Sequence, residues 1–190
     1  GILFFKKIYS IENMAIHKNK KYSNFIVKKA VKISLSMAIT VFISFILFYI
    51  FAFLISKGET NIDITRCLFL DIFGESFYSN YTWFYYLLDG LVRFFIMPFI
   101  YSLFACIISL EAKSFKQAFV IPIGYYFCLS FISIILEQIF GNIALYFNPT
   151  MIMASGDYHS INTILAFAIH LLHIIICFII VRKKGNKIEI

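Results

Sequence analysis

Four long apolar runs dominate the hydrophobic pattern of this chain. They cover Ile33–Ser56, Phe84–Leu110, Phe119–Ile135 and Ile164–Val181, and each is apolar on all sides apart from a few polar residues. A helix in a soluble core would instead show a polar face with a period of about 3.6 residues. Roughly 20 apolar helical residues cross a hydrocarbon core of about 30 Å. The pattern therefore predicts an all-α, polytopic membrane protein with four transmembrane helices.

The segments between these runs predict shorter elements. Apolar positions within Ile62–Phe73 predict a short interfacial helix. The polar turn at 111–118 is short, so the second and third spans should be antiparallel neighbours. We expect residues 136–163 to form short helices that dip into the outer leaflet. Pro98 and Pro122 lie inside spans and can bend them, because each removes a backbone donor.

The charges separate by side of the membrane. The chain has 190 residues, 61% of them hydrophobic, and a net charge of +7. Cations crowd the first 32 residues, the 111–118 turn and the C-terminus, whereas the other two connections are mainly acidic. The positive-inside rule therefore places both termini in the cytoplasm. Residues 1–32 form an amphipathic basic segment, which we expect at the cytoplasmic membrane surface among lipid headgroups, and residues 33–190 form the transmembrane domain. A nucleic-acid partner is not expected, because the cations form no binding face.

Asp89 and Arg93 are charged residues inside the second apolar run. Their i, i+4 spacing puts both side chains on nearly the same helical face, where they can pair. Trp83, Phe84, Tyr85 and Tyr86 predict an aromatic belt at the outer interface. If the hydrocarbon begins at this belt, Arg93 lies near its middle and indicates a polar pathway. If it begins at Gly90, Arg93 can extend to the headgroups and needs no function. Both interpretations remain open.

Two histidines and four cysteines complete the candidate chemistry. His170 and His173 lie three residues apart on one face of the fourth span. Such a pair could supply half of a metal or proton-relay site, but one helix supplies only two ligands, so packing or interhelical hydrogen bonding is the favoured interpretation. Cys106, Cys128 and Cys177 fall within spans and Cys67 outside them, so no intrachain disulfide is expected and the thiols are interpreted as small apolar side chains.

Enzymatic motifs are missing from the sequence. It contains no HExxH, GxSxG or Walker A pattern, and no paired glutamates with an arginine of the kind found in membrane prenyl-protein peptidases. We therefore expect no catalytic residues, no bound metal and no cofactor. The chain would not hydrolyse ATP by itself.

Several stretches resemble the ABC-2 type transporter permeases, in particular the small kind of Gram-positive bacteria. "IENMAIHKNKKYSNFIVKKAVKISLSMAITVFISFIL" resembles their cytoplasmic segment and following helix, and "LLDGLVRFFIMPFIYSLFACIISLEAKSFKQAFVIPIGYYF" resembles their helical hairpin. "LYFNPTMIM" is similar to the proline-containing segment before the last span, and "VRKKGNKIEI" is similar to the basic tail.

The resemblance implies a permease subunit in a bacterial plasma membrane, part of an ABC exporter for a peptide, lipid-linked or amphipathic substrate. A family member has six spans, of which this chain would hold the last four; its start at Gly1, without methionine, fits a fragment. The implied partners are a cytosolic ATP-binding subunit and a second permease copy or paralogue. The segment that couples to the ATPase would include Ile8, Ile11, Glu12, His17, Lys20, Lys21 and Tyr22.

Two other functions remain open. One is a membrane-embedded enzyme or maturation factor that uses Asp89, Arg93, His170 and His173. The other is an immunity or accessory membrane protein that transports nothing.

Overall fold

The computed structural model describes residues 22–57, 69–148 and 163–187. Helix accounts for 95% of these residues, and they include no strand. Helices are expected here, because a membrane-spanning backbone must satisfy its hydrogen bonds within the segment. In chain order the elements are α1 (Tyr22–Ser56), α2 (Leu70–Asn80), α3 (Thr82–Leu91), a π-helical turn (Val92–Ile96), α4 (Met97–Glu111), α5 (Phe115–Phe140), a 3-10 helix (Gly141–Phe147) and α6 (Thr163–Lys187).

Within the described residues, three helical segments are long and apolar enough to cross a membrane. They are Ser23–Ser56, Thr82–Glu111 and Phe115–Phe140, and they contain the first three predicted spans. The all-helical class is thus confirmed for the described residues, and the three long apolar helices agree with a membrane protein. The fourth predicted span, Ile164–Val181, lies within α6, which is helical throughout that range. The count of four spans and the cytoplasmic placement of the termini stay predictions.

The ends of the long helices follow backbone conformation more than hydrophobicity. α5 extends beyond the predicted Phe119–Ile135 on both sides and stops where Gly141 takes a left-handed conformation, with φ 66°. Glycine adopts that conformation without steric cost, which makes it a common helix terminator. α1 ends in the same way before Lys57, with φ 52°.

The outer connections match their predictions only in part. Residues 62–68 of the predicted interfacial helix lie outside the described residues. α2 begins only at Leu70 and continues past Phe73 to Asn80, with a break at Gly74. In the connection predicted at 136–163, α5 continues to Phe140 and the 3-10 helix follows, whereas 149–162 is not described.

The two intramembrane prolines sit in different surroundings. Pro122 lies inside α5. Pro98 is the second residue of α4, separated by Met97 from the π-helical turn, whose last hydrogen bond runs from the Met97 N–H to the Val92 carbonyl. In a straight α-helix the ring of Pro98 would collide with the carbonyl of Phe94. The wider π-helical turn includes Phe94 and provides room for the ring at this point.

The chain divides into two compact units. Unit 1 comprises the described residues of Gly1–Met37, Pro98–Phe127 and His170–Ile190, and unit 2 those of Ala38–Met97 and Cys128–Ile169. The core of unit 1 joins α1, α4 and α6 through Ile26, Ala30, Leu103, Cys106, Ile107, Cys177 and Val181. Helices α4 and α5 also meet in unit 1, where the rings of Phe104 and Tyr125 lie 4.2 Å apart. This contact agrees with the short turn between them.

In unit 2 aromatic rings of α1 pack against α3 and the π-helical turn. Phe45 stacks on Phe94 with 4.7 Å between ring centroids and an interplanar angle of 12°. Phe42 meets Phe95 edge to face at 5.8 Å. These contacts fix α1 against the part of the chain that carries Asp89 and Arg93.

Candidate functional site

Asp89 and Arg93 form an ion pair inside unit 2. The Nε atom of Arg93 lies 2.6 Å from Oδ2 of Asp89, and the two side chains are only 6% and 17% exposed. The pairing predicted from their spacing is therefore present. The arginine side chain extends back toward the N-terminal end of its helix, as helical side chains do.

The hydrogen bonding of this pair is incomplete among the described residues. Nε of Arg93 and Oδ2 of Asp89 form the ion pair, and this contact uses one atom of each group. Arg93 Nη1 and Asp89 Oδ1 are also buried without a hydrogen-bond partner in the described part of the chain. Buried polar atoms are rarely left in this state, because the loss of hydration is costly. Beyond the Nε–Oδ2 contact, Arg93 Nη1 therefore lacks an acceptor and Asp89 Oδ1 lacks a donor among the described residues.

The local backbone explains why Arg93 is buried. It lies in the π-helical turn, flanked by the buried Val92 and by Phe94, which stacks on Phe45. Next to Asp89 on the other side, Gly90 lets the Phe45 ring approach its backbone so closely that a Cβ atom would overlap the ring. α1 therefore packs on the face of Gly90 and Phe94, one helical turn apart, and the ion pair lies on the neighbouring face.

Tyr85 continues this polar face toward the helix N-terminus. It precedes Asp89 by four residues and is fully buried, with its hydroxyl group inside the unit. Tyr85, Asp89 and Arg93 thus follow one another at one-turn spacing. Sequence reasoning assigned Tyr85 to the interfacial belt and missed its place in this line, although the i, i+4, i+8 spacing was visible.

The predicted aromatic belt is only partly a surface feature. Phe84 is exposed, whereas Trp83 is half-buried and packs against Tyr49 and Phe53 of α1. The Tyr49 hydroxyl donates a hydrogen bond of 2.7 Å to the Trp83 carbonyl. Tyr86 shares a hydroxyl–hydroxyl hydrogen bond of 3.0 Å with Tyr78. The belt is tied into unit 2 by specific contacts.

The burial of Arg93 by protein changes what its depth in the membrane would imply. Ten helical residues separate Trp83 from Arg93, or about 15 Å along the axis. Whatever the depth, protein rather than lipid covers the guanidinium group. Its cost is therefore that of a buried, incompletely bonded pair and not that of a charge facing hydrocarbon.

The histidine pair belongs to unit 1. The imidazole of His173 is half-buried and meets three rings edge to face: Tyr101 at 6.4 Å, Phe104 at 5.9 Å and Tyr125 at 6.4 Å. His170, one turn earlier, is also half-buried. The described residues contain no group of three or more His, Cys, Asp or Glu side chains that could hold a metal ion. These surroundings favour the packing interpretation of His173.

The cysteines of the described segments are free thiols. Cys106 and Cys177 are buried in the unit 1 core, and Cys128 is exposed. The Ser34 hydroxyl lies 3.9 Å from the Cys106 sulfur, a weak hydrogen bond that joins α1 to α4. Both cysteines are packed as small apolar groups.

The predicted coupling residues Ile8, Ile11, Glu12, His17, Lys20 and Lys21 lie outside the described residues. Tyr22 is the first residue of α1, and its side chain is not described. The candidate site therefore consists of Tyr85, Asp89 and Arg93 in unit 2, with His170 and His173 as a separate pair in unit 1.

Comparisons with protein-family models, with characterised proteins and with solved structures found no match to this chain.

Proposed function

We propose that this chain is a permease subunit of an ABC-type exporter in a bacterial plasma membrane. Its substrate would be a peptide, a lipid-linked molecule or another amphipathic compound, and a cytosolic partner would hydrolyse the ATP. The proposal includes four spans, with α6 as the fourth, and cytoplasmic termini. The segment from Ile8 to Tyr22 would couple the spans to the ATPase.

The Asp89–Arg93 pair is the observation that carries this proposal. Ionisable residues within spans are costly and often mark substrate or ion pathways. Here the pair is covered by protein, and beyond the Nε–Oδ2 contact Asp89 Oδ1 and Arg93 Nη1 have no hydrogen-bond partner among the described residues. A polar substrate group could satisfy both atoms during passage. The packed surroundings of His173 give the embedded-enzyme alternative no comparable support.

Copurification tests the proposal directly. The tagged chain is produced together with its neighbouring gene products, extracted in mild detergent and purified. We expect a Walker-type ATPase to be retained. Replacement of Ile8 and Ile11 by aspartate should abolish retention, because coupling surfaces are apolar, while the protein remains in the membrane. The variant Lys57→Gln, an exposed cation of unit 2, is the control and should retain the ATPase. Absence of any associated ATPase with the unchanged chain would contradict the proposal.

A further inference from the structure

The core of unit 1 gathers three helix ends that carry cations. Ile26 and Ala30, near the start of α1, pack in one cluster with Ile107, near the end of α4, and with Val181, in the last two turns of α6. Leu110 packs against the same cluster. Cations that flank these residues along the chain are therefore brought to the same end of unit 1.

Seven cationic side chains occupy that end, and we name them the basic collar. All are exposed except Lys29, which is half-buried with its ammonium group 5.7 Å from the centre of the Phe25 ring. Lys29 adjoins Ala30, and Arg182 adjoins Val181. The turn after α4 supplies Lys113, and the start of α5 supplies Lys116. The basic collar comprises Lys28, Lys29, Lys32, Lys113, Lys116, Arg182 and Lys183.

Little negative charge opposes the basic collar. Among the described residues of unit 1, Glu111 is the one acidic residue, and Lys184 and Lys187 add to the cations. The described residues of unit 2 have the opposite balance, with Lys57 and Arg93 against four acidic residues: Asp71, Glu75, Asp89 and Glu137. Positive charge is therefore concentrated in unit 1 and is not spread evenly over the described residues.

The apolar runs next to the basic collar determine where its cations lie relative to a bilayer. In α1 the cations end at Lys32 and the remaining 24 residues are the apolar run Ile33–Ser56. The same change occurs in reverse between Val181 and Arg182. When such a helix crosses a bilayer, the cations at the boundary of the apolar run reach headgroup depth. There the nearest abundant anions are lipid phosphates.

We propose that the basic collar binds anionic phospholipid headgroups and gives unit 1 a preference for anionic over zwitterionic lipid. The attraction is electrostatic, with cations of α1, α5, α6 and the turn after α4 acting on the same small area. Long lysine side chains can keep their stems on apolar surface while their ammonium groups reach phosphate. This inference goes beyond the proposed transport function and does not depend on it.

Native mass spectrometry of the full chain in detergent micelles tests the inference. The micelles contain either phosphatidylglycerol or phosphatidylcholine at equal concentration, and the bound lipids per protein are counted. We expect phosphatidylglycerol to be retained at least about fivefold better than phosphatidylcholine. This is the ratio expected from the attraction of one lysine or arginine to an anionic lipid surface. The variant Lys28→Gln/Lys32→Gln/Arg182→Gln/Lys183→Gln should lose most of this preference.

Matched controls separate charge from folding. The variants Lys57→Gln, in unit 2, and Arg182→Lys/Lys183→Arg, which keeps the charge, should both keep the preference. With the unmodified protein, a rise from 0.1 to 1 M salt shortens the screening length from about 10 to about 3 Å and should reduce phosphatidylglycerol binding only. Equal retention of the two lipids by the unmodified chain would overturn the inference. An undiminished preference in the fourfold variant would also overturn the inference. This holds too if that variant loses a bound cytosolic protein, because the basic collar would then bind a protein and not lipid.

Discussion

The aromatic ring of Phe45 lies against the backbone of Gly90, in the space where any larger residue would place its Cβ atom. The ring cannot easily move away, because it stacks on Phe94 and also contacts Phe42 and Tyr49. Glycine at this position therefore brings α1 close to the residue next to Asp89.

Gly90→Ala should destabilise the protein by about 1–3 kcal/mol, because the added methyl group overpacks this contact. Thermal unfolding in detergent micelles measures the change. Gly124→Ala is the matched control, since a Cβ atom at Gly124 meets nothing within 4 Å. It should be neutral or stabilising by up to about 1 kcal/mol, the helical advantage of alanine over glycine. Equal effects of the two variants would show that the Phe45 contact does not restrict residue 90.

Neutralising only one member of the buried ion pair should destabilise the protein more than removing both charges. Asp89→Asn or Arg93→Met leaves one buried charge without its partner, and a loss of about 3–5 kcal/mol is expected for either. The double variant Asp89→Leu/Arg93→Met removes both charges and should recover most of this loss. A double-mutant cycle from denaturant unfolding gives the coupling energy. Additive effects would mean that the two groups do not interact in the folded protein.

Transport and stability can be separated at the same pair. If the unpaired atoms serve a substrate, the apolar double variant should be folded and still bind the ATPase, but should have lost export. Arg93→Lys keeps a cation but lacks the planar, multi-donor guanidinium group, so we expect reduced export with retained fold. Full export by the apolar double variant would exclude the pair from the pathway.

Substitution of His173 distinguishes packing from chemistry. His173→Phe should preserve stability and activity, because a phenyl ring can replace the imidazole among Tyr101, Phe104 and Tyr125. His173→Ala should cost about 2 kcal/mol through the cavity it leaves. The variant His170→Ala serves as the neighbouring control. Loss of activity in a stably folded His173→Phe protein would instead favour a chemical role.

The fluorescence of Trp83 can determine how deep Arg93 lies, because this is the single tryptophan of the chain. In vesicles with brominated lipids we expect stronger quenching by bromine near the headgroups than by bromine deep in the acyl chains. Arg93, about 15 Å further along the helix, would then lie near the middle of the hydrocarbon. Tyr49→Phe, which removes the hydrogen bond to the Trp83 carbonyl, should leave this depth unchanged and cost about 1 kcal/mol. Stronger quenching by deep bromines would contradict the belt interpretation.

Much of the helical architecture could be predicted from the chain alone. The runs Ile33–Ser56, Phe84–Leu110 and Phe119–Ile135 are local signals, since helix length and apolarity follow from consecutive residues. Pairing of Asp89 with Arg93 was predictable for the same reason: four residues of helix bring two side chains together without help from the rest of the fold. The exact helix ends were not, because they depend on left-handed residues such as Lys57 and Gly141.

By itself, then, the sequence determined that the protein is helical, that three of its helices are long and apolar enough to cross a membrane, and that most of its charges lie outside these apolar runs. Only the tertiary structure decided that protein covers Arg93 and that aromatic rings surround His173. It also decided that Tyr85 is buried, on the helical face that carries Asp89 and Arg93. The physical reason is that lipid-facing and protein-facing positions in a membrane helix are equally apolar. Hydrophobicity therefore shows where a helix crosses the membrane, whereas the contacts of distant residues decide which face of it is buried.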